Sequence, residues 1–221
     1  MPNNVIWNDV DEYFIEKLIP NDSILENVLL ANYHAGLPSI DVSPTQGKLL
    51  YLLAKIKGAK NILEIGTLGG YSSIWLARAL PEDGKLTTLE INHEHAKVAE
   101  KNIIEAKLQN KVEIIIGKAL DTLPSLKESN SIFDFIFIDA DKPNNPHYLN
   151  WALKLATSGA LIIVDNVVRN GEVIYQTNQD ESVKGVRKLM DLLASDPRID
   201  STAIQTVGLK GFDGFVIGVV K

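Results

Sequence analysis

Ile62-Leu63-Glu64-Ile65-Gly66-Thr67-Leu68-Gly69-Gly70-Tyr71-Ser72 is the stretch that decides the fold. Ile62 to Ile65 is a short apolar run that reads as a buried strand. The glycines let the backbone turn tightly and bring it close to a ligand where a side chain would clash. Tyr71 to Leu80 then reads as a helix, whose first turn offers free N–H groups. A plain strand-to-helix turn would carry similar glycines. The dinucleotide fingerprint Gly-x-Gly-x-x-Gly fails, because Leu68 holds its second glycine position.

Downstream the same alternation repeats. Short apolar strands are expected at Leu86 to Leu89, Val112 to Ile116, Phe133 to Ile138 and Leu161 to Val164, with helices at His93 to Ala106 and Tyr148 to Ala156. Near-continuous apolar strands alternating with helices predict an α/β fold with a parallel sheet covered on both faces. Glu181 to Ser195 reads as a longer amphipathic helix. Ser201 to Val207 and Phe215 to Val220 follow, separated by a Gly-rich turn, and read as an antiparallel pair at one edge. Upstream, helices are expected at Asp9 to Ile19, from Ser23 to Ala35, and from Ser43 to Gly58 with Leu49, Leu50, Leu53 and Ile56 on one face. No composition break divides the chain. It is read as one domain, with residues 1–58 as added helices and a lid or substrate loop and residues 59–221 as the core.

The 221 residues carry 22 Lys plus Arg against 28 Asp plus Glu, and no Cys. The missing cysteine excludes a disulfide framework, a thiolate zinc site and a cysteine nucleophile. The net charge of −6 argues against a broad nucleic-acid face. Met1 to Phe14 has neither the basic nor the apolar region of a secretory signal. No apolar run approaches the ~18 residues of a membrane span. A soluble, cytoplasmic protein is expected.

In an open parallel sheet, ligands bind outside the carboxyl ends of the strands. The second strand ends at Glu90, placed to grip a ribose diol or, alternatively, to cap the helix near His93. The fourth ends in Asp139-Ala140-Asp141-Lys142 and the fifth in Asp165-Asn166. Hard oxygen ligands without sulfur suit Mg2+ or a similar divalent cation. Lys142 beside them is a candidate base. His93 and His95, two apart on a helix, do not face one another and make a poor metal pair.

Together these motifs resemble the cation-dependent O-methyltransferases, of the caffeoyl-CoA and catechol O-methyltransferase type, from about Ser23 to the C-terminus. The resemblance implies a class I methyltransferase (Rossmann-like) fold with seven strands, mostly parallel, the last antiparallel. It implies S-adenosylmethionine as donor, held by Val42, Glu64, Gly66, Thr67, Ser72, Glu90, Ala119, Asp139 and Asp141. It implies a divalent cation on Asp139, Asp165 and Asn166, and a small phenolic acceptor with vicinal hydroxyls near Lys142 and Asn170. Family members are commonly homodimers. The sequence departs from the family's pattern at Asn145, over Arg169 to Asp180, and at Gly211-Phe212-Asp213-Gly214, all toward the acceptor.

Rival readings remain on the sequence alone. Some bacterial relatives methylate a hydroxylated wobble uridine in tRNA, for which Lys17, Lys48, Arg169, Lys184, Arg187 and Lys188 would be the basic patch. A DNA amino-methyltransferase is disfavoured by Asp-Ala-Asp-Lys at the fourth strand end. An NAD-dependent dehydrogenase is disfavoured by the missing glycine, and a catalytically silent binding module by the intact Asp139, Lys142, Asp165 and Asn166 set.

Overall fold

The computed structural model describes residues 4–221, so the first three residues of the Met1 to Phe14 stretch lie outside the described residues. The sheet strands are β1 (Asn61–Ile65), β2 (Lys85–Glu90), β3 (Val112–Ile116), β4 (Phe133–Ile138), β5 (Ala156–Asp165), β6 (Ile199–Gly208) and β7 (Gly211–Val220). The helices are α1 (Asn4–Leu18), α2 (Ser23–His34), α3 (Pro44–Lys57), α4 (Tyr71–Ala79), α5 (His93–Glu105), α6 (Ala119–Glu128), α7 (Asn145–Leu155) and α8 (Glu181–Ser195). The sheet order is β3-β2-β1-β4-β5-β7-β6. β1 to β5 pair in parallel, and β7 runs antiparallel to both β5 and β6. This is the mixed seven-stranded α/β sheet expected of a class I methyltransferase.

Period-two alternation explains how β4 serves both faces. Ile136 and Ile138 pack with Leu123 of α6, Leu149 of α7, and Val186 and Leu189 of α8. Phe135 and Phe137 point the other way, into Leu25 and Val28 of α2, Leu50 and Ala54 of α3, Ile74 of α4 and Ile103 of α5. The N-terminal helices α2 and α3 therefore share the core on that face.

Several expectations need correction. Residues 119–128 carried no helix in the sequence reading, yet they form α6. Pro124 inside it masked the pattern, although Thr122, Leu123 and Leu126 are buried. The N-cap of α2 is Asp22, one residue before the expected start at Ser23, and its carboxylate accepts from Ile24 N and Leu25 N. On α3 the buried face is Gly47, Leu50 and Ala54, and Ile56 is 82% exposed. α1 begins at Asn4, earlier than Asp9. The Gly-rich segment near the end is mostly strand: β6 and β7 continue to Gly208 and Gly211, leaving Leu209 and Lys210 as the turn. Among the described residues no helix is long and apolar enough to cross a membrane.

Candidate active site

The carboxyl ends of β1, β2, β4 and β5 open onto a cavity of about 720 Å³. Gly66 turns the chain out of β1 at φ +103, and a Cβ there would lie 2.1 Å from the Asp139 carbonyl oxygen. Only glycine lets the ends of β1 and β4 approach this closely. Gly69 is pressed in the same way by the Asn32 side chain of α2. Asn32 in turn accepts from Asn102 Nδ2 and donates to Asp41, so α2, α5, the glycine turn and the 37–42 loop are tied together.

Leu68 adopts the left-handed backbone (φ 51) for which glycine is the usual choice. Glu90 stabilises it: Oε2 accepts from Thr67 N at 3.2 Å and Leu68 N at 2.8 Å. Oε1 accepts from Asn92 N at 2.9 Å. The N-cap of α5 is Asn92, so Glu90 caps the glycine turn and not that helix. A carboxylate has about four acceptor sites, which leaves Oε1 one toward the cavity. His95 lines the wall with Nδ1 3.6 Å from Glu90 Oε1.

Glu64 does not reach the wall. It is wholly buried behind it and accepts from Ser72 Oγ at 2.6 Å, from Thr88 Oγ1 at 2.7 Å, and from Ser73. Burial outweighs these bonds and raises its carboxyl to about 7. Ser72 is the member of this group that meets the cavity.

At the β4 end, Lys142 Nζ donates to Asp139 Oδ1 at 2.7 Å. Lys142 is buried while Asp141 is exposed, and Asp141 accepts from Asn144 Nδ2 at 2.6 Å and from the Tyr148 hydroxyl. Burial and then that hydrogen bond to Asp141 push the Tyr148 hydroxyl above its ordinary range. At the neighbouring β5 end, Asp165 is 4% exposed. Burial first, and the charge of Asp139 second, raise its carboxyl to about 7. β4 and β5 are paired up to Ile138 and Val164, so Asp139 and Asp165 leave the sheet side by side. These two neighbouring carboxylates, with the Asn166 amide oxygen beside them, form a hard-oxygen set that fits a divalent cation. Among the described residues no three His, Cys, Asp or Glu side chains gather in metal-holding geometry; the set here is two carboxylates and an amide.

Of the residues expected at the site, Val42, Gly66, Thr67, Ser72, Glu90, Ala119, Asp139, Asp141, Lys142 and Asn166 line the cavity. Glu64 and Asp165 stand behind it. Asn170 is exposed and outside the wall, where its neighbour Arg169 takes the place. Tyr148, whose position after Asp-x-Asp-Lys marks it as able to line a pocket, is on the wall, whereas sequence reading missed Asp41 and His95. Several of the six proposed basic-patch residues are engaged within the chain. Lys17 and Lys184 pair with Glu16 and Glu181, Lys48 stands over the Tyr51 and Trp75 rings, and Arg187 donates to the carbonyls of Val173 and Asn178.

Known proteins resemble the chain over nearly its whole length. A catechol O-methyltransferase of Niastella koreensis is 47% identical over 220 residues, which is 99% of this chain and all of that one. The crystal structure of an O-methyltransferase from Bacillus cereus in complex with SAH superposes with a TM-score of 0.98 at 55% identity, covering 99% of this chain and 100% of that one. The O-methyltransferase TomG of Streptomyces achromogenes, involved in tomaymycin synthesis and solved in complex with SAM, gives 0.96 at 46% identity over the full length of both chains. The O-methyltransferase family model matches residues 16–215. The chain belongs to the O-methyltransferase family.

Proposed function

We propose that the chain transfers a methyl group from S-adenosylmethionine to one hydroxyl of a small vicinal diphenol, with a divalent cation bound by Asp139, Asp165 and Asn166. The observation that carries this reading is one cavity wall joining the glycine turn and Glu90 to Asp139, Lys142 and Asn166. A sulfonium donor is a cation, and acidic groups at the strand ends suit it. Glu90 has its remaining acceptor site for a ribose hydroxyl, and Ala119, opening α6 after β3, stands where an adenine would lie. Relatives of similar sequence carry SAM, SAH or a catechol O-methyltransferase description, which supports donor and acceptor class alike.

A bound divalent cation would supply Lewis acidity, lowering the pKa of a hydroxyl placed against it. The chain's own residues do the rest. The acceptor oxygen attacks the methyl carbon, the new O–C bond forms as the C–S bond breaks, and the sulfur leaves as a neutral thioether. The hydroxyl proton goes to Lys142 Nζ, which must enter as the free amine. Little covalent help is required, so alignment by the glycine turn and the strand ends contributes much of the rate, up to roughly 7–11 kcal/mol in favourable cases.

We further read the whole chain as one domain in which Pro38 to Val42 borders the acceptor, acting in the cytoplasm as a homodimer. Exposed Tyr13, Phe14 and Leu18 on α1 and Leu30 and Tyr33 on α2 are apolar surface that a partner copy would cover. The test of the activity is methyl transfer from labelled S-adenosylmethionine to catechol, caffeate and bulk tRNA, each with and without Mg2+. Labelling of tRNA alone would overturn the small-acceptor reading.

A further inference from the structure

The sheet order lays the site out in a line. Glu90 and the glycine turn lie over β2 and β1, Asp139 and Lys142 at β4, and Asp165 and Asn166 at β5. Beyond Asn166 the chain bends sharply and Arg169 returns to the cavity wall. Asn166, Arg169 and Asn170 all take left-handed backbone, at φ 59, 54 and 56, and none is glycine. Such residues are held by their surroundings. Here the holder is Asp213 of β7: its Oδ1 accepts from Val168 N at 2.9 Å and Arg169 N at 3.1 Å. Phe212 covers the next turn at Gly171. The Gly-Phe-Asp-Gly departure near the C-terminus thus shapes the acceptor side of the cavity.

What this bend presents is an incomplete guanidinium. Arg169 Nε is shielded from solvent without a hydrogen-bond partner. Among the described residues no hydrogen bond or ion pair engages the Arg169 guanidinium, whereas the Lys142 ammonium group is paired with Asp139. Lys118, the other lysine of the wall, is exposed at the β3 end, on the far side of the donor position. A buried N–H left unpaired is costly, and a guanidinium fork matches a carboxylate in shape and charge. The same cavity carries Asp41, Asp139 and Asp141, which would repel an anionic acceptor lacking a counter-charge at its far end.

We infer that Arg169 selects the acceptor, and that the acceptor is a vicinal diphenol bearing a carboxylate which completes the Arg169 guanidinium. This rests on the methyltransferase reading above and names its substrate class. Pro38, Ile40 and Tyr148 supply the apolar wall for the ring. Asp213 is a positioning residue that holds Arg169 at its φ.

The test compares kcat/KM for 3,4-dihydroxybenzoate and for its methyl ester, at saturating S-adenosylmethionine and Mg2+, in wild type, Arg169→Gln and Arg169→Lys. Wild type is expected to prefer the acid by about tenfold or more, the scale of a charge-assisted hydrogen bond. Arg169→Gln is expected to collapse the acid-to-ester ratio by about 10–100-fold, through KM for the acid, and Arg169→Lys to restore part of it. Calorimetric binding of S-adenosylhomocysteine to each variant reports whether the donor half is still folded. An acid-to-ester ratio that Arg169→Gln leaves unchanged, or a wild type that favours the ester, overturns the inference while leaving the methyltransferase reading in place. A wild type that methylates neither compound overturns that reading, and the inference with it.

Discussion

Lys142 Nζ and Asp139 Oδ1 are joined by a 2.7 Å hydrogen bond between residues three apart at the end of β4, with the lysine side chain 9% exposed. One partner of this pair is assigned to the cation and the other to the acceptor proton. Replacing Lys142 by Ala is expected to lower kcat by about 10²–10⁴-fold, the usual contribution of a positioned base. Lys142→Arg is expected to be as slow, because arginine keeps the charge but cannot surrender its proton. S-adenosylhomocysteine affinity, measured by calorimetry, should be unchanged in both. Recovery of most of the rate by Arg would show that charge alone is needed.

Gly66→Ala places a Cβ 2.1 Å from the Asp139 carbonyl oxygen at a backbone angle of φ +103. Backbone on both sides leaves no flexible side chain to move. The variant is expected to lose about 3 kcal/mol of stability in denaturant unfolding, combining overpacking with strain. Donor affinity should fall with it, because β1 and β4 separate where the turn meets Asp139.

Glu64 couples stability to pH. Its folded carboxyl titrates at about 7 against 4.5 for the free group, because burial outweighs three hydroxyl donors. A raised pKa means the folded state holds the proton more tightly. The stability from this group is thus complete below pH ~4.5 and is lost as pH rises through ~7. The difference corresponds to about 3 kcal/mol at most. Unfolding of wild type and Glu64→Gln between pH 4.5 and 8 should show the gap between them shift by up to that amount. Parallel curves would contradict the assignment.

Asp213→Ala removes the acceptor for Val168 N and Arg169 N. The expected result is a rise of about 10-fold or more in acceptor KM, on the scale of lost charge-assisted bonds, with donor affinity unaffected. Steady-state kinetics against both substrates separates the two halves of the site.

How much of this was legible in the sequence depended on whether neighbours in the chain carried the signal. Apolar runs ending in Glu64-Ile65-Gly66, Glu90, Asp139 and Asp165-Asn166 announced buried strands with acidic ends, and sheet geometry then gathers those ends without further information. Glu64 shows the limit: its place in the motif is legible, but its burial behind Ser72 and Ser73 is set by how α4 packs. α6 was hidden because Pro124 interrupts a pattern that tertiary packing nonetheless holds helical. Ile56 follows the apolar spacing of α3, but Gly47, against Trp75, sets the rotation that leaves it exposed. The contacts from Asn32 and Asn102 to Gly69, and from Asp213 to Arg169, join residues far apart in sequence. No local pattern encodes them.

Methyl transfer is proposed to require a divalent cation held by Asp139, Asp165 and Asn166. The most direct measurement is the initial rate of catechol methylation by wild type and Asp165→Ala, in excess chelator and again after Mg2+ is restored. The expected result is a loss of at least about 100-fold in chelator, full recovery of wild type with Mg2+, and no recovery of Asp165→Ala, consistent with the several kcal/mol a Lewis acid supplies. Undiminished turnover by wild type in chelator would contradict it.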